Sequence, residues 1–199
     1  MRVTVFDYGA GNLHSLVKAL ERAPGVSVCV EPNPVRATEA DALVLPGVGA
    51  FGQAAARLGP GLAAVRRAVA SGLPVLGICL GMQLLFDASE EGAGEGLGII
   101  SGLVMRLRVR RVPQIGWNGL DGAHDSLLER AALEIVYYAN SYVCRPTAVE
   151  SVRAWSEHEG ERFPAMIRAE HVVGVQFHPE KSSRPGVRFL HAFLEEARR

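Results

Sequence analysis

Apolar positions along this chain follow two periods. The runs 2–6, 26–30, 42–45 and 74–78 are short and nearly continuous in Val, Leu and Ile, as strands covered on both faces read. Between them the spacing lengthens. Leu13, Leu16, Val17 and Leu20 recur at helical intervals, so 13–22 predicts a helix with Asn12 as its N-cap. The stretch 50–70 predicts one or two helices broken at Gly59-Pro60-Gly61, and 80–88 predicts another. Glycine is dense from Gly92 to Gly102, which reads as a loop. Beyond it, 103–112, 134–139 and 149–155 read as strands with hairpin-type links, followed by 165–168 and 172–177. A closing helix over 187–197 carries Phe189, Leu190, Phe193 and Leu194 on one face. Strands alternating with helices predict an α/β domain, a central and mostly parallel sheet flanked by helices. A smaller antiparallel portion is expected in the second half. There are no internal repeats, low-complexity tracts or linkers, so 1–199 reads as a single domain.

Composition narrows the classes. The chain is 48% hydrophobic and 21% charged, a folded composition rather than a disordered one. Its 21 basic and 21 acidic residues cancel, which argues against a dedicated partner in nucleic acid or an acidic membrane surface. All but Lys18 and Lys181 of those basic residues are Arg. No apolar run reaches the roughly 18 residues of a membrane span. The opening Met-Arg-Val-Thr-Val-Phe reads as a strand rather than a leader. Cys29, Cys79 and Cys144 are an odd number with no paired framework, so a reducing, cytoplasmic setting is expected. No His, Cys or Asp cluster has metal spacing. Gly9-x-Gly11 lacks the third glycine of a dinucleotide fingerprint, because His14 stands there. Neither metal nor cofactor is expected.

The strongest chemical signal is Gly77-Ile78-Cys79-Leu80-Gly81-Met82-Gln83. An apolar strand ends in Gly-x-Cys-x-Gly and a helix follows, the spacing of a nucleophile elbow. The flanking glycines are needed because a Cβ there would meet neighbouring backbone. The sulfur would sit where a helix N-terminus favours a thiolate, and the N–H of Leu80 would face a developing oxyanion. The competing reading is a buried structural cysteine at the end of a core strand, which suits Cys29 and Cys144 better. Of six histidines, His178 stands out: it ends an apolar strand and precedes Pro179-Glu180. Glu180, two residues on, would point to the same side and hold the imidazole tautomer. His14, His124, His158 and His191 read as solvent-exposed. The loop Pro46-Gly47-Val48-Gly49 leaves another strand with backbone N–H groups free to serve as a second oxyanion donor.

Three segments, Pro46-Gly47-Val48-Gly49, Gly77–Gln83 and Phe177-His178-Pro179-Glu180, together resemble the signatures of triad (class I) glutamine amidotransferases, in order and spacing. The resemblance spans the whole chain and implies their flavodoxin-like fold. Asp7–Leu13, Pro113–Asn118 and His178–Ser183 resemble more narrowly the glutaminase subunits of imidazole glycerol phosphate synthases. Gln114 departs from that pattern, which often carries His there. The resemblance implies hydrolysis of L-glutamine to glutamate and ammonia, with the ammonia passing to a (β/α)8-barrel cyclase subunit. That partner would make imidazole glycerol phosphate and AICAR in histidine biosynthesis. It implies Cys79 as nucleophile, His178 as general base and acid, and Glu180 as orienter. Gly47 and Val48, with Leu80, would serve the oxyanion. Gly49, Gly52, Gln83, Asn140, Ser141 and Tyr142 would hold the substrate. Asn12, Trp117, Asn118, Tyr137 and Tyr138 would face the cyclase. Nothing in the triad itself separates this from an amidotransferase serving another synthase or from a free-standing cysteine hydrolase. A flavodoxin-like binding module would need an inert Cys79.

Overall fold

The computed structural model describes residues 1–9 and 13–199. Its elements run β1 (Arg2–Phe6), α1 (His14–Glu21), β2 (Ser27–Glu31), α2 (Pro34–Ala37), β3 (Ala42–Leu45), α3 (Phe51–Leu58), α4 (Leu62–Ala70) and β4 (Val75–Ile78). Then come α5 (Leu80–Gln83), β5 (Ala88–Ser89), β6 (Gly102–Arg106), β7 (Gln114–Gly119), α6 (Ser126–Ala131), β8 (Ile135–Asn140) and β9 (Tyr142–Pro146). The chain closes with β10 (Val152–His158), β11 (Glu161–Ala169), β12 (Val172–Val175) and α7 (Ser183–Glu196).

One seven-stranded sheet organises the domain, in the order β10-β11-β12-β4-β3-β1-β2. The five strands from β12 to β2 are parallel, and β10 and β11 add an antiparallel margin. Alternation along the strands divides the core. Val3, Val5, Val44, Leu76, Ile78 and Val175 face a layer built on α1, α6 and α7, while Leu43, Leu45, Val75 and Val172 face one built on α3 and α4. A sheet covered on both faces demands the continuous apolar runs that its sequence shows. Two small sheets flank it: β5-β6-β9, and the antiparallel ribbon β7-β8.

Several sequence expectations are corrected. The helix expected over 80–88 stops at Gln83, and turns carry the chain into β5. Leu84, Leu85 and Phe86 are all fully buried, so core packing on every side replaces the one-sided burial of an amphipathic helix. The strand expected over 103–112 ends at Arg106. Beyond it the N–H groups of Arg108, Arg110 and Arg111 donate to the carboxylates of Glu161 and Glu159, not to a strand partner. Asn33 caps α2 by accepting from Val35 and Arg36. Asp125 caps α6 and is held by two nitrogens of Arg168 at 2.6 and 3.0 Å. Cys29 is exposed rather than buried, because β2 is the outer parallel strand of the sheet. Asn12, expected as an N-cap and as a partner contact, lies outside the described residues.

Candidate active site

The carboxyl ends of β3, β4 and β12 lie side by side, with Leu45↔Gly77 and Gly77↔Gly174 paired in register. Sites in parallel sheets gather at such ends. Leaving β4, the chain turns into α5 at Cys79, whose backbone has φ +49° and ψ −104°. A side chain rarely accepts that conformation, and the surroundings must enforce it. Glycine on either side lets them do so. A Cβ on Gly81 would lie 1.9 Å from the Leu45 carbonyl oxygen, and one on Gly77 would lie 2.6 Å from the Gly81 oxygen. Cys79 also donates its N–H to the Val175 carbonyl at 2.7 Å. The elbow is thus pinned from both neighbouring strands.

His178 follows β12. Its Nδ1–H donates to Glu180 Oε1 at 2.8 Å, and the two side chains are only 3% and 9% exposed. The second carboxylate oxygen of Glu180 is buried and has no hydrogen-bond partner among the described residues. The His178 loop is anchored by strand β8. His178 N–H donates to the Tyr137 carbonyl at 2.8 Å, Tyr137 N–H donates to Ser182 Oγ, and Ser182 Oγ donates back to the His178 carbonyl. Gly47 shows how tightly Cys79 and His178 converge. A Cβ there would meet His178 Cε1 at 2.8 Å and Cys79 Cβ at 3.0 Å. Burial by itself would push the His178 imidazole down. The Cys79 sulfur, and then the Glu180 carboxylate, outweigh it and raise His178 from 6.5 to about 10. The imidazole is therefore the natural acceptor of the proton that the Cys79 thiol gives up.

A cavity of about 170 Å³ opens over the sulfur, lined by Gly47, Gly49, Leu80, Gln83 and Glu91 together with residues 139–142. That is smaller than the roughly 300 Å³ at which drug-sized pockets begin and suits one amino acid. Most of the expected substrate contacts line it: Gly49, Gln83, Asn140, Ser141 and Tyr142. Of the substrate contacts only Gly52 does not, and of the oxyanion residues Val48 is absent from the lining while Gly47 and Leu80 are part of it. Gly52 instead allows close approach of the segment at Gly92 and Ala93, where a Cβ would lie 3.1 Å from the Ala93 oxygen. A larger groove of about 540 Å³ beside Arg106, Arg108 and Glu161 contains no cysteine or histidine.

Three residues not anticipated from the sequence belong here. Glu91 lines the cavity and accepts the Phe51 N–H at 2.8 Å. Gln176, fully buried, directs its Nε2 at Cys79 Sγ, 3.5 Å away. Tyr8 is buried and donates its hydroxyl to the Pro46 carbonyl, holding the loop over the sulfur. Burial, then the nearby Cys79 and Asp7, push the Tyr8 phenol well above its ordinary value, so it stays a donor. Cys144 is buried in β9 and its thiol is pushed up, first by burial and then by Cys79.

The expected partner face separates by strand alternation. Ile115, Trp117 and Ile135 on the β7–β8 ribbon are 67, 54 and 59% exposed. Tyr137 is half-buried, edge-on to Trp117 at 5.9 Å, with the Lys181 ammonium 5.9 Å from its ring centre. Asn118 is half-buried and donates its side-chain amide to the Glu157 carbonyl at 2.6 Å. Tyr138 overturns the expectation. It is fully buried, donates its hydroxyl to Ser156 Oγ and packs edge-on against Phe163 and Phe177. Adjacent strand residues face opposite sides, so Tyr137 and Tyr138 cannot both reach one surface.

Comparison with known proteins agrees with this geometry. The family model of class-I glutamine amidotransferases matches residues 4–197. The imidazole glycerol phosphate synthase subunit HisH of Thermus thermophilus is 46% identical over 195 residues, 96% of this chain and 95% of its own. The same subunit of Aquifex aeolicus is 45% identical over 204 residues, 99% of this chain and 98% of its own. Among solved structures, one described as a glutamine amidotransferase superposes with a TM-score of 0.75 at 22% identity, covering 99% of both chains. By family model, by identity over nearly its whole length and by fold, this chain belongs to the class-I glutamine amidotransferases and groups there with the HisH subunits.

Proposed function

We propose that the chain is the glutaminase subunit of an imidazole glycerol phosphate synthase. It hydrolyses L-glutamine to glutamate and ammonia and passes the ammonia to a (β/α)8-barrel cyclase subunit. The observation that carries this reading is the strained, buried Cys79 facing the His178–Glu180 pair in a cavity of one amino acid's size.

The sulfur attacks the carboxamide carbon, and a C–S bond forms. The oxygen gains negative charge beside the N–H groups of Leu80 and of the Gly47–Val48 loop, which Tyr8 holds at Pro46. His178 gives its proton to the departing nitrogen, the C–N bond breaks and ammonia leaves. Water then adds to the thioester carbon while His178 takes its proton, and the C–S bond breaks to free glutamate. Glu180 stabilises the imidazolium in both halves. The Glu91 carboxylate would take the ammonium group of glutamine, and Gln83 with residues 140–142 its remaining polar atoms. The relatives are named as synthase subunits. The apolar outer face of β7–β8, with Ile115, Trp117, Tyr137 and Ile135, is the surface we assign to the cyclase, with Asn118 at its margin.

The test is glutamine turnover by this chain mixed with its cyclase, together with labelling by a glutamine-mimicking diazo-ketone. Wild type should be modified at Cys79. Cys79→Ser should lose roughly 10⁴-fold or more of its activity, and Glu180→Ala should be milder. Ammonia supplied to the cyclase alone should bypass the chain. A Cys79→Ser variant that still turns over glutamine would sink the proposal.

A further inference from the structure

Glutamine is scarce in this chain, with four residues, yet Gln83, Gln114 and Gln176 are all buried. Two of them form a relay that ends on the nucleophile. It starts at the carbonyl oxygen of Tyr142, which can only accept. Asn140 Nδ2 donates to that oxygen at 3.1 Å and Gln83 Nε2 at 3.2 Å. An obligate acceptor therefore fixes which end of the Gln83 amide is its NH₂. The same Nε2 lies 3.4 Å from Gln176 Oε1, so the Gln176 carbonyl must face Gln83. The opposite amide orientation would set NH₂ against NH₂. The Gln176 NH₂ is thereby left facing Cys79 Sγ at 3.5 Å. At 0% exposure Gln176 has no water to offset a wrong orientation.

We propose that Gln176 is a further catalytic residue of this site: its side-chain N–H, held in polarity by Gln83 and Tyr142, stabilises negative charge on the Cys79 sulfur. The proposal rests on Cys79 being the nucleophile. An N–H donor holds a thiolate more strongly than a thioester sulfur, which is a poor acceptor. The bond is strongest before attack and again when the thioester opens. In that second step the water oxygen bonds to the acyl carbon, one proton passes to His178, the carbon–sulfur bond breaks and its electron pair returns to sulfur. The remaining proton leaves with the carboxyl group to solvent. Gln176 thus makes sulfur a better leaving group without exchanging a proton itself. His178 supplies the charge opposite the sulfur, whereas Gln176 supplies a neutral dipole that persists whichever way His178 is protonated.

The test alkylates Cys79 in the full chain with iodoacetamide across pH, read peptide by peptide so that Cys29 and Cys144 are counted separately. His178, Tyr8 and Cys144 also titrate within electrostatic reach of the sulfur, and all stay in place in the variants. Gln176→Met keeps the volume and removes the donor. The midpoint of alkylation should rise by about one pH unit. Glutamine kcat should fall about tenfold, with KM within about threefold because no substrate contact is lost. Gln176→Glu keeps an acceptor for Gln83 but faces the sulfur with an oxygen, so its midpoint should rise further. A purely structural role predicts the reverse, with Glu restoring what Met loses. That result, or an unmoved midpoint in Gln176→Met, overturns the proposal. Should Gln176→Met fail to fold, Gln83→Met frees the Gln176 amide to turn and should shift the midpoint the same way by less. An unchanged profile there is equally fatal. If wild-type Cys79 shows no selective alkylation or diazo-ketone labelling, the glutaminase reading falls first and takes this one with it.

Discussion

Two regions meet at the sulfur and are built in opposite ways. On one side, the ends of β3, β4 and β12 are buried on both faces and joined by backbone contacts that only glycine allows, at Gly77 and Gly81. On the other, the β7–β8 ribbon is a two-stranded piece with Gln114, Tyr138 and Asn140 turned inward and Ile115, Trp117 and Ile135 turned to solvent. The first holds the nucleophile and leads through β12 to the base, and the second braces the base, because the Tyr137 backbone anchors the His178 loop directly and through Ser182. The triad therefore sits between a rigid wall and a two-stranded ribbon, and of the two only the ribbon carries an uncovered apolar face.

Substitutions should treat the two walls differently. Gly81→Ala sets a Cβ 1.9 Å from the Leu45 carbonyl oxygen, main chain that cannot swing aside as a flexible side chain would. It should cost about 3 kcal/mol of stability together with the activity, read by thermal unfolding and glutamine turnover. An unaltered melting curve would mean the wall is softer than drawn. The electrostatic link between the walls comes next. His178 is raised above its ordinary value, so its contribution to stability is complete below about pH 6.5 and fades as pH climbs through about 10. Cys79→Ala removes the largest cause that raises it, leaving burial to lower it and Glu180 to raise it. The imidazole should then titrate at lower pH, which NMR of its ring protons will show. An unmoved titration would uncouple the walls. On the ribbon, Trp117→Ala should leave the melting curve within about 0.5 kcal/mol while weakening association with the proposed cyclase subunit by about 2 kcal/mol, measured by calorimetry. Equal loss of stability and association would erase the contrast. The smallest effect belongs to Cys29→Ser, far from both walls on the outer strand β2. Stability there should change by less than about 0.5 kcal/mol.

The same contrast explains what could be read from the chain alone. The rigid wall is legible because its strands are continuous in sequence and run up to chemical residues: Leu45 directly before Pro46, Ile78 directly before Cys79, and β12 followed by Gln176-Phe177 and then His178. The ribbon is not. Gln114-Ile115-Gly116-Trp117-Asn118-Gly119 mixes amides, glycines and aromatics, and neither helical nor alternating periodicity identifies it as a strand. Tyr137 and Tyr138 look alike until pleating sends them to opposite sides. Gln176 falls within the apolar run 172–177, just past the end of β12, so in the sequence its amide reads as an interruption. Its partners Cys79 and Gln83 are more than 90 residues away, brought near only by the parallel crossover. Glu91 stands just before the glycine-dense loop with no motif to mark it, although its carboxylate accepts the Phe51 N–H at the cavity wall. Tyr8 reads in the sequence as part of a turn, and its purpose shows only once its hydroxyl meets the Pro46 carbonyl.

The glycine pair Gly77 and Gly174 has one more consequence. They stand side by side in register, and a Cβ on Gly174 would lie 2.8 Å from Met82 Cγ, inside α5. At this point the sheet has been thinned to bare peptide, so the one-turn helix that follows the nucleophile rests directly on main chain. At Gly77 the contact is with the Gly81 and Met82 main chain, which has no rotamers through which to relax, while at Gly174 it is with the Met82 side chain. The distance from the sheet to the reacting sulfur is set by bond lengths and atomic radii, the stiffest gauge a protein possesses. Strain arriving from the ribbon should therefore fall on the groups around the sulfur before it shifts the sulfur itself.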